Sequence, residues 1–145
     1  MRAWVDSAPA PRATLRPMTF YSLLAVMIGG ALGSALRWVC GLAFNPLLPN
    51  LPLGTLAVNL VGGFVIGIAM AWFDHFANAP QEWRLFVITG FCGGFTTFSA
   101  FSGETIALLL RAQYGWSLAI VTAHVVGSLL MTLAGIGAMR VLLKT

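Results

Sequence analysis

The stretch Gly90–Glu104, GFCGGFTTFSAFSGE, decides the fold. It lies inside a hydrophobic segment that is long enough to cross a bilayer, yet four of its residues are glycines and four carry hydroxyl groups. Glycine weakens a helix interior, so Gly93-Gly94 followed by Thr96-Thr97 predicts a break. In hydrocarbon, a freed backbone carbonyl costs several kcal/mol unless it is paired. We therefore expect the break to line a cavity or to bind an ion, as facing helix ends do in some transporters.

Two phenylalanines follow the predicted break. Phe98 and Phe101 are three residues apart, so they share one face of a helix. Tight packing between membrane helices also favours Gly, Ser and Thr, and this interpretation stays open for any single one of these residues. Their concentration within fifteen residues favours a functional site, with two phenyl rings beside it.

The composition is that of an integral membrane protein with one compact domain. Of 145 residues, 59% are hydrophobic and 8% are charged, whereas about a quarter of a soluble domain is charged. The net charge of +4 forms no basic cluster, so no nucleic-acid partner is expected. The sequence contains no histidine–carboxylate cluster, nucleophile elbow or phosphate loop, so we do not expect an enzyme. Cys40 and Cys92 lie in apolar runs without metal-like spacing.

Four hydrophobic spans are predicted, at about residues 20–44, 53–73, 85–111 and 112–139. They form one four-helix transmembrane domain of residues 18–145. Residues 1–17 are polar and contain proline, and they lack the apolar region of a cleaved signal peptide. We expect them to be a disordered extension outside the domain. The predicted fold class is an all-α membrane protein with four transmembrane helices, of which the third is broken at mid-membrane.

Small residues recur along one face of the first span. Gly29, Gly33, Arg37 and Gly41 are spaced by four residues, and Gly29-x-x-x-Gly33 lets another helix approach closely. Arg37 is the only charge in this span. It could snorkel to the interface, or it could attract an anion to a vestibule, and both interpretations remain open.

The second and third spans each contain one isolated polar candidate. Asn59 needs a partner, which could be a neighbouring helix or an ion in a pore that it lines. The pair Gly63-x-x-x-Gly67 marks another packing face. Glu104 is the last residue of the glycine-rich stretch, and it is either a functional carboxylate or a plain interfacial residue.

The polar groups of the fourth span form one stripe. His124, Ser128 and Thr132 are spaced by four residues, so we expect them to face a partner or water. Taken singly, a Ser or Thr in a membrane helix often hydrogen-bonds its own backbone four residues back. A lone histidine there would most often be a packing residue.

The charge asymmetry across the membrane is weak. The side with both termini carries six positive residues, and the other side carries two, Arg37 and Arg111. If the three arginines before Met18 are left out, the counts are three and two. The six are Arg2, Arg12, Arg16, Arg84, Arg140 and Lys144. The positive-inside rule then gives almost no preference for one orientation, so the chain could insert both ways up.

Four helices are also too few to enclose a pathway around a broken helix. We expect an antiparallel homodimer, with one cation on its two-fold axis held by carbonyls of both broken helices.

Three motifs carry a resemblance to a known family: GGALGSALRW at Gly29–Trp38, GTLAVNLVGG at Gly54–Gly63, and GFCGGFTTFSAFSGE, with HVVGSLLMT at His124–Thr132 in support. From about Met18 to Lys144 the chain resembles the small fluoride channels of the Fluc (CrcB) type. The resemblance implies a dual-topology antiparallel homodimer in the bacterial inner membrane. Its two pores would export fluoride passively and so lower cytoplasmic fluoride. It also implies a structural sodium ion at the dimer interface that is not transported.

The resemblance also implies roles for particular residues. The backbone carbonyls of Gly93 and Thr96 of both subunits would hold sodium. The fluoride pore would be lined by Asn59, Phe98, Phe101, Ser99, Ser102, Ser128 and Thr132. Arg37 and Glu104 would lie at the vestibule. Ala100 stands where the family often has Thr, so the role of that hydroxyl is absent or is taken by Ser99 or Ser102.

Two other functions remain open. A small dual-topology drug or cation exporter also has four helices and a weak charge bias, but it needs a membrane-embedded carboxylate to exchange protons. Glu104 is the only candidate, and it lies at the edge of its segment. The second alternative is an accessory membrane subunit without transport of its own.

Overall fold

The computed structural model describes residues 19–48 and 50–144, and every regular element in these residues is helical. Four stretches are long and apolar enough to cross a membrane, judged by length and composition: Phe20–Leu47, Leu53–His75, Gln81–Leu110 and Tyr114–Leu143. We call them the first to fourth spans. The prediction of an all-α protein with four membrane-spanning helices is thus confirmed. The extension expected at residues 1–17 lies outside the described residues.

The helices run through these spans with two changes of helical type. In chain order they are α1 (Phe20–Phe44), a 3₁₀ turn (Asn45–Leu47), α2 (Leu53–His75), α3 (Gln81–Arg84), a π-helical stretch (Leu85–Cys92), α4 (Gly93–Phe95), α5 (Phe98–Leu110) and α6 (Tyr114–Leu143). The third span begins at Gln81 rather than at residue 85, because a polar first turn, QEWR, continues the helix beyond the apolar segment. A tight reversal at Ala112, with φ of 56°, separates α5 from α6.

The first span lies against the third through two glycines. A Cβ atom added at Gly29 would lie 2.8 Å from the Phe91 nitrogen, and one at Gly33 would lie 2.8 Å from the Phe95 nitrogen. The two backbones are therefore in direct contact, which a larger side chain would prevent. The predicted packing face is confirmed at these two positions.

The second span lies against the fourth in the same manner. A Cβ at Gly63 would lie 2.9 Å from the Ser128 carbonyl oxygen, and one at Gly67 would lie 3.0 Å from the Ile136 nitrogen. Gly135 of α6 makes the reciprocal approach, since its Cβ would lie 3.0 Å from the Ile68 nitrogen. These contacts confirm Gly63-x-x-x-Gly67 as a packing face and hold α2 and α6 together along their length.

Helical conformation stops at two residues within the third span. Thr96 (φ −81°, ψ 160°) and Thr97 (φ −151°, ψ 117°) are extended, and the helix resumes at Phe98. We call these two residues the interruption. The preceding Gly93 has ordinary helical angles (φ −63°, ψ −37°). A Cβ at Gly94 would lie 3.0 Å from the Ser34 hydroxyl oxygen, so this glycine serves close packing against the first span.

We expect Gly33→Ala to weaken the seating of the first span on the third. The new methyl group would overlap the Phe91 carbonyl and the Phe95 amide, which are backbone atoms that cannot rotate away. Overpacking of this kind typically costs about 1–3 kcal/mol. The measurement is the thermal unfolding midpoint of the purified protein in detergent, which should fall. Gly41→Ala is the matched control on the same helix face, because its Cβ would come no closer than 3.7 Å to Asn45. Equal midpoints for both variants would contradict the described packing.

Candidate functional site

A cavity of about 380 Å³ opens beside the interruption, between the second, third and fourth spans. Its wall carries no Lys, Arg, Asp or Glu among the described residues. The lining residues are Asn59, Gly62, Gly63, Ile66, Ile88, Cys92, Gly93, Thr96, Thr97, Phe98, Phe101, His124, Val125 and Ser128. Four predicted pore residues, namely Asn59, Phe98, Phe101 and Ser128, and both predicted sodium-binding residues therefore meet at one place.

Asn59 pairs with the backbone of the interruption. Its Nδ2 donates to the Thr97 carbonyl at 3.0 Å, and its Oδ1 accepts from the Thr97 N–H at 2.8 Å. Of the two interpretations left open by the sequence, the structure shows the bond to a neighbouring helix. An amide nitrogen carries two hydrogens, so the second one is left for the cavity that Asn59 lines.

Arg37 also bonds the third span. Its Nε donates to the Gly94 carbonyl oxygen at 2.9 Å. In a continuous helix that carbonyl would accept from the amide four residues later, at Phe98, which here opens a new helix. The guanidinium thus replaces a helical donor inside the protein. The sequence suggested snorkelling or a vestibule role and did not indicate this contact.

The interruption removes the helical donors of Gly93 and Thr96. In a continuous helix their carbonyls would accept from the amides of Thr97 and Ala100. The Thr97 amide instead donates to Asn59, and the Ala100 amide donates to the Thr97 hydroxyl at 3.2 Å. Unwound backbone carbonyls at half-helix ends are the groups that coordinate sodium in some transporters. Within the described residues, no group of three or more His, Cys, Asp and Glu side chains is placed to hold a metal.

Phe98 and Phe101 share one face of α5, as their spacing predicts. Their ring centroids are 5.4 Å apart, with an interplanar angle of 69°, which is an edge-to-face arrangement. Phe101 is 7% exposed, whereas Phe98 is 77% exposed in the single chain. One ring is therefore fixed in the protein and the other stands at the open side of the cavity.

The predicted pore hydroxyls are divided between two environments. Ser128 lies on the cavity wall. Thr132 donates to the Ser128 carbonyl at 2.9 Å, and Ser102 donates to the Ser99 carbonyl at 3.0 Å, so both hydrogen-bond their own helix. The Ser99 hydroxyl lies 3.2 Å from that of Thr97. Ser99, Ser102 and Thr132 are not on the wall of this cavity, and their roles in a pore stay predictions.

Glu104 is bound by a residue that sequence reasoning missed. The Thr55 hydroxyl donates to Glu104 Oε1 at 2.6 Å, and the Thr55 amide donates to Asn45 Oδ1 at 3.1 Å. Glu104 Oε2 is buried without a hydrogen-bond partner. The sequence feature that could have indicated Thr55 is its position four residues before Asn59, which places both on the same helix face.

The chain is similar to proteins of known name. The family model described as "CrcB-like protein, Camphor Resistance (CrcB)" matches residues 24–136. A protein of Nitrosospira multiformis named "Fluoride-specific ion channel FluC" is 56% identical over 119 residues, which are 82% of this chain and 93% of that protein. Proteins of the same name from Nitrosomonas europaea and Pseudomonas paraeruginosa are 54% and 53% identical. These matches cover 79% and 82% of this chain, and 90% and 94% of the two relatives.

We expect Asn59→Asp to destabilise the protein at the interruption. A carboxylate cannot donate to the Thr97 carbonyl, and it would place negative charge against that oxygen. A buried polar group left without its partner costs about 1–3 kcal/mol. The free energy of unfolding, measured by denaturant titration in detergent, should fall by that amount. Ser102→Ala removes a hydroxyl that bonds its own helix and should change stability little. Wild-type stability in Asn59→Asp would show that the two hydrogen bonds between Asn59 and Thr97 are dispensable.

Proposed function

The chain belongs to the CrcB family, and from this premise we propose that it is a fluoride-selective channel that lets fluoride leave the cell passively. With its four spans it is a multi-pass membrane protein of bacteria. The observation that supports the proposal most directly is the wall of the 380 Å³ cavity, which joins an amide, a hydroxyl and two phenyl rings without a charged side chain.

The donors on this wall suit a small anion. Fluoride is strongly hydrated, so a narrow pore must replace its water with hydrogen-bond donors. Asn59 offers its second Nδ2 hydrogen, and Ser128 offers a hydroxyl. Phenyl rings carry partial positive charge at their edges, so Phe98 and Phe101 can face an anion edge-on. A slot of this kind would fit larger halides poorly.

The interruption is proposed to lie at mid-membrane, as the break predicted from the sequence. It divides the third span, Gln81–Leu110, into two parts of similar length, residues 81–95 and Phe98–Leu110. Each part is too short to cross a bilayer alone, since a spanning helix has about 20 residues. The extended residues between them would then lie near the centre of the hydrocarbon.

We further propose a structural sodium ion and an antiparallel homodimer. The Gly93 and Thr96 carbonyls have lost their helical donors, and Gly93 is exposed on the single chain. Two carbonyls leave most of a cation's coordination open, and a second copy across a two-fold axis would supply two more. Bound there, sodium would offset the dipoles of the freed carbonyls and add positive potential beside the anion path. Each subunit would contribute one such cavity, giving two pores.

We propose that Arg37 and Glu104 line vestibules, and the bond of Arg37 to the Gly94 carbonyl would extend its vestibule inward as far as the interruption. Glu104 lies one helical turn beyond Phe101, and its bond to Thr55 ties α5 to the first turn of α2. Arg37 brings a fixed positive charge to the end of α4 through Gly94. The rival function, proton-coupled export, needs a carboxylate that is free to exchange, whereas one Glu104 oxygen is already bonded to Thr55.

The proposal is tested by fluoride efflux from liposomes that contain only this purified protein. We expect rapid, electrically driven fluoride efflux without proton coupling, little chloride efflux, and lower fluoride efflux when sodium is replaced by a large organic cation. Protein-free liposomes are the control. Cation movement coupled to protons would favour the exporter, and no transport at all would favour an accessory subunit.

We expect Phe98→Ile and Phe101→Ile to slow fluoride efflux by roughly tenfold each, because an isoleucine has no electropositive ring edge to face the anion. The measurement is the initial efflux rate per reconstituted dimer-equivalent of protein. Phe20→Ile, at the exposed start of α1, removes a ring remote from the cavity and should keep the wild-type rate. Wild-type rates in both cavity variants would refute the phenyl-edge mechanism.

A further inference from the structure

His124 lies behind Phe101, and the proposed pore does not use it. The side chain is 4% exposed and contributes to the cavity wall. Its ring stacks on that of Phe101, with centroids 4.6 Å apart and an interplanar angle of 28°. Any change in the charge of this imidazole therefore acts directly on one face of a proposed anion-binding ring.

The hydrogen bonding of the ring is incomplete. Nδ1 lies 3.0 Å from the Ile120 carbonyl oxygen, and a carbonyl only accepts, so Nδ1 carries the hydrogen. In a neutral imidazole the other nitrogen, Nε2, then carries no hydrogen and can only accept a hydrogen bond. It is buried without a hydrogen-bond partner. Nε2 is therefore the ring position at which His124 can take up a second proton.

The wall of the cavity beside His124 carries no Lys or Arg among the described residues. From α2, Asn59 lines the same cavity as His124, and its side chain does not titrate. On α5 the titratable group in this cluster is Glu104, whose Oε1 is bonded to the Thr55 hydroxyl at 2.6 Å. On the third span the Cys92 thiol lines the same cavity. A charged imidazole would therefore join a cluster that already contains one carboxylate with an unpaired, buried oxygen.

We propose that His124 is a proton-responsive positioning residue that acts through Phe101. A proton on Nε2 gives the ring a second N–H and places positive charge against the face of Phe101. A cation on one face of an aromatic ring draws its π electrons toward that face, which makes the ring edge more attractive to an anion. This inference depends on the proposed fluoride conduction, and it predicts that fluoride throughput rises as the pH falls.

The test is fluoride efflux at equal pH on both sides of the membrane, from about pH 8 to about pH 5.5, where histidine titrates. The leak from protein-free vesicles is subtracted at each pH, because hydrogen fluoride crosses lipid. We expect the wild-type rate to rise roughly two- to fivefold on acidification, with a one-proton profile. His124→Asn, which keeps an amide donor for Ile120, should give a flat profile. His75→Asn is the matched control, since it removes the chain's other histidine, which is exposed, and should leave the rise intact.

A direct readout keeps the inference open to disproof if His124→Asn does not assemble. The His75→Asn protein has a single histidine, so its imidazole NMR signals belong to His124. Nδ1 should stay protonated throughout, and Nε2 should gain its proton over the pH range in which efflux rises. A flat wild-type profile, a rise that persists in His124→Asn, or separate midpoints for efflux and Nε2 would each overturn the inference. Absence of fluoride efflux at every pH would overturn the proposed function instead, and the NMR titration would still decide whether Nε2 takes up a proton.

Discussion

Unpaired peptide groups cannot be left in hydrocarbon, and the structure depends on how this chain pairs the ones that the interruption creates. Three side chains replace the lost helical bonds. Asn59 takes both polar groups of Thr97, Arg37 takes the Gly94 carbonyl, and the Thr97 hydroxyl takes the Ala100 amide. Two of these side chains come from other spans. The bonds that satisfy the interruption therefore also fix the first and second spans against the third, and they leave the carbonyls of Gly93 and Thr96 without their helical donors.

The spans and their contact faces could be predicted from the sequence because both are local properties. Four long apolar runs predict four spans, and glycines repeated every four residues predict where backbones meet, as Gly29, Gly33, Gly63 and Gly67 show. The interruption was less well specified. The sequence indicated Gly93-Gly94 together with the two threonines, yet both glycines are helical and only the threonines are extended. Glycine is flexible as well as small, and only the structure shows that Gly94 is used for its size, because a Cβ there would meet the Gly30 backbone and the Ser34 hydroxyl.

The partners of the polar residues could not be predicted, because they lie far away in the chain. Arg37 and Gly94 are 57 residues apart, Thr55 and Glu104 are 49 apart, and Asn59 and Thr97 are 38 apart. Helical periodicity gives the face on which a side chain lies but not what stands opposite. The hydroxyls show a second limit. Ser128 and Thr132 have the same spacing pattern, yet one lies on the cavity wall and the other bonds its own helix.

The bond between Arg37 and Gly94 also sets an order of events during biosynthesis. A ribosome adds about 5–20 residues per second. The 57 residues between the two partners therefore correspond to a delay of roughly 3–11 s. Throughout this delay the first two spans contain the Arg37 guanidinium before its acceptor, the Gly94 carbonyl, has been synthesised. An unpaired charge at membrane depth is costly. The emergence of the third span ends that interval, so the final seating of the first two spans has to wait for it.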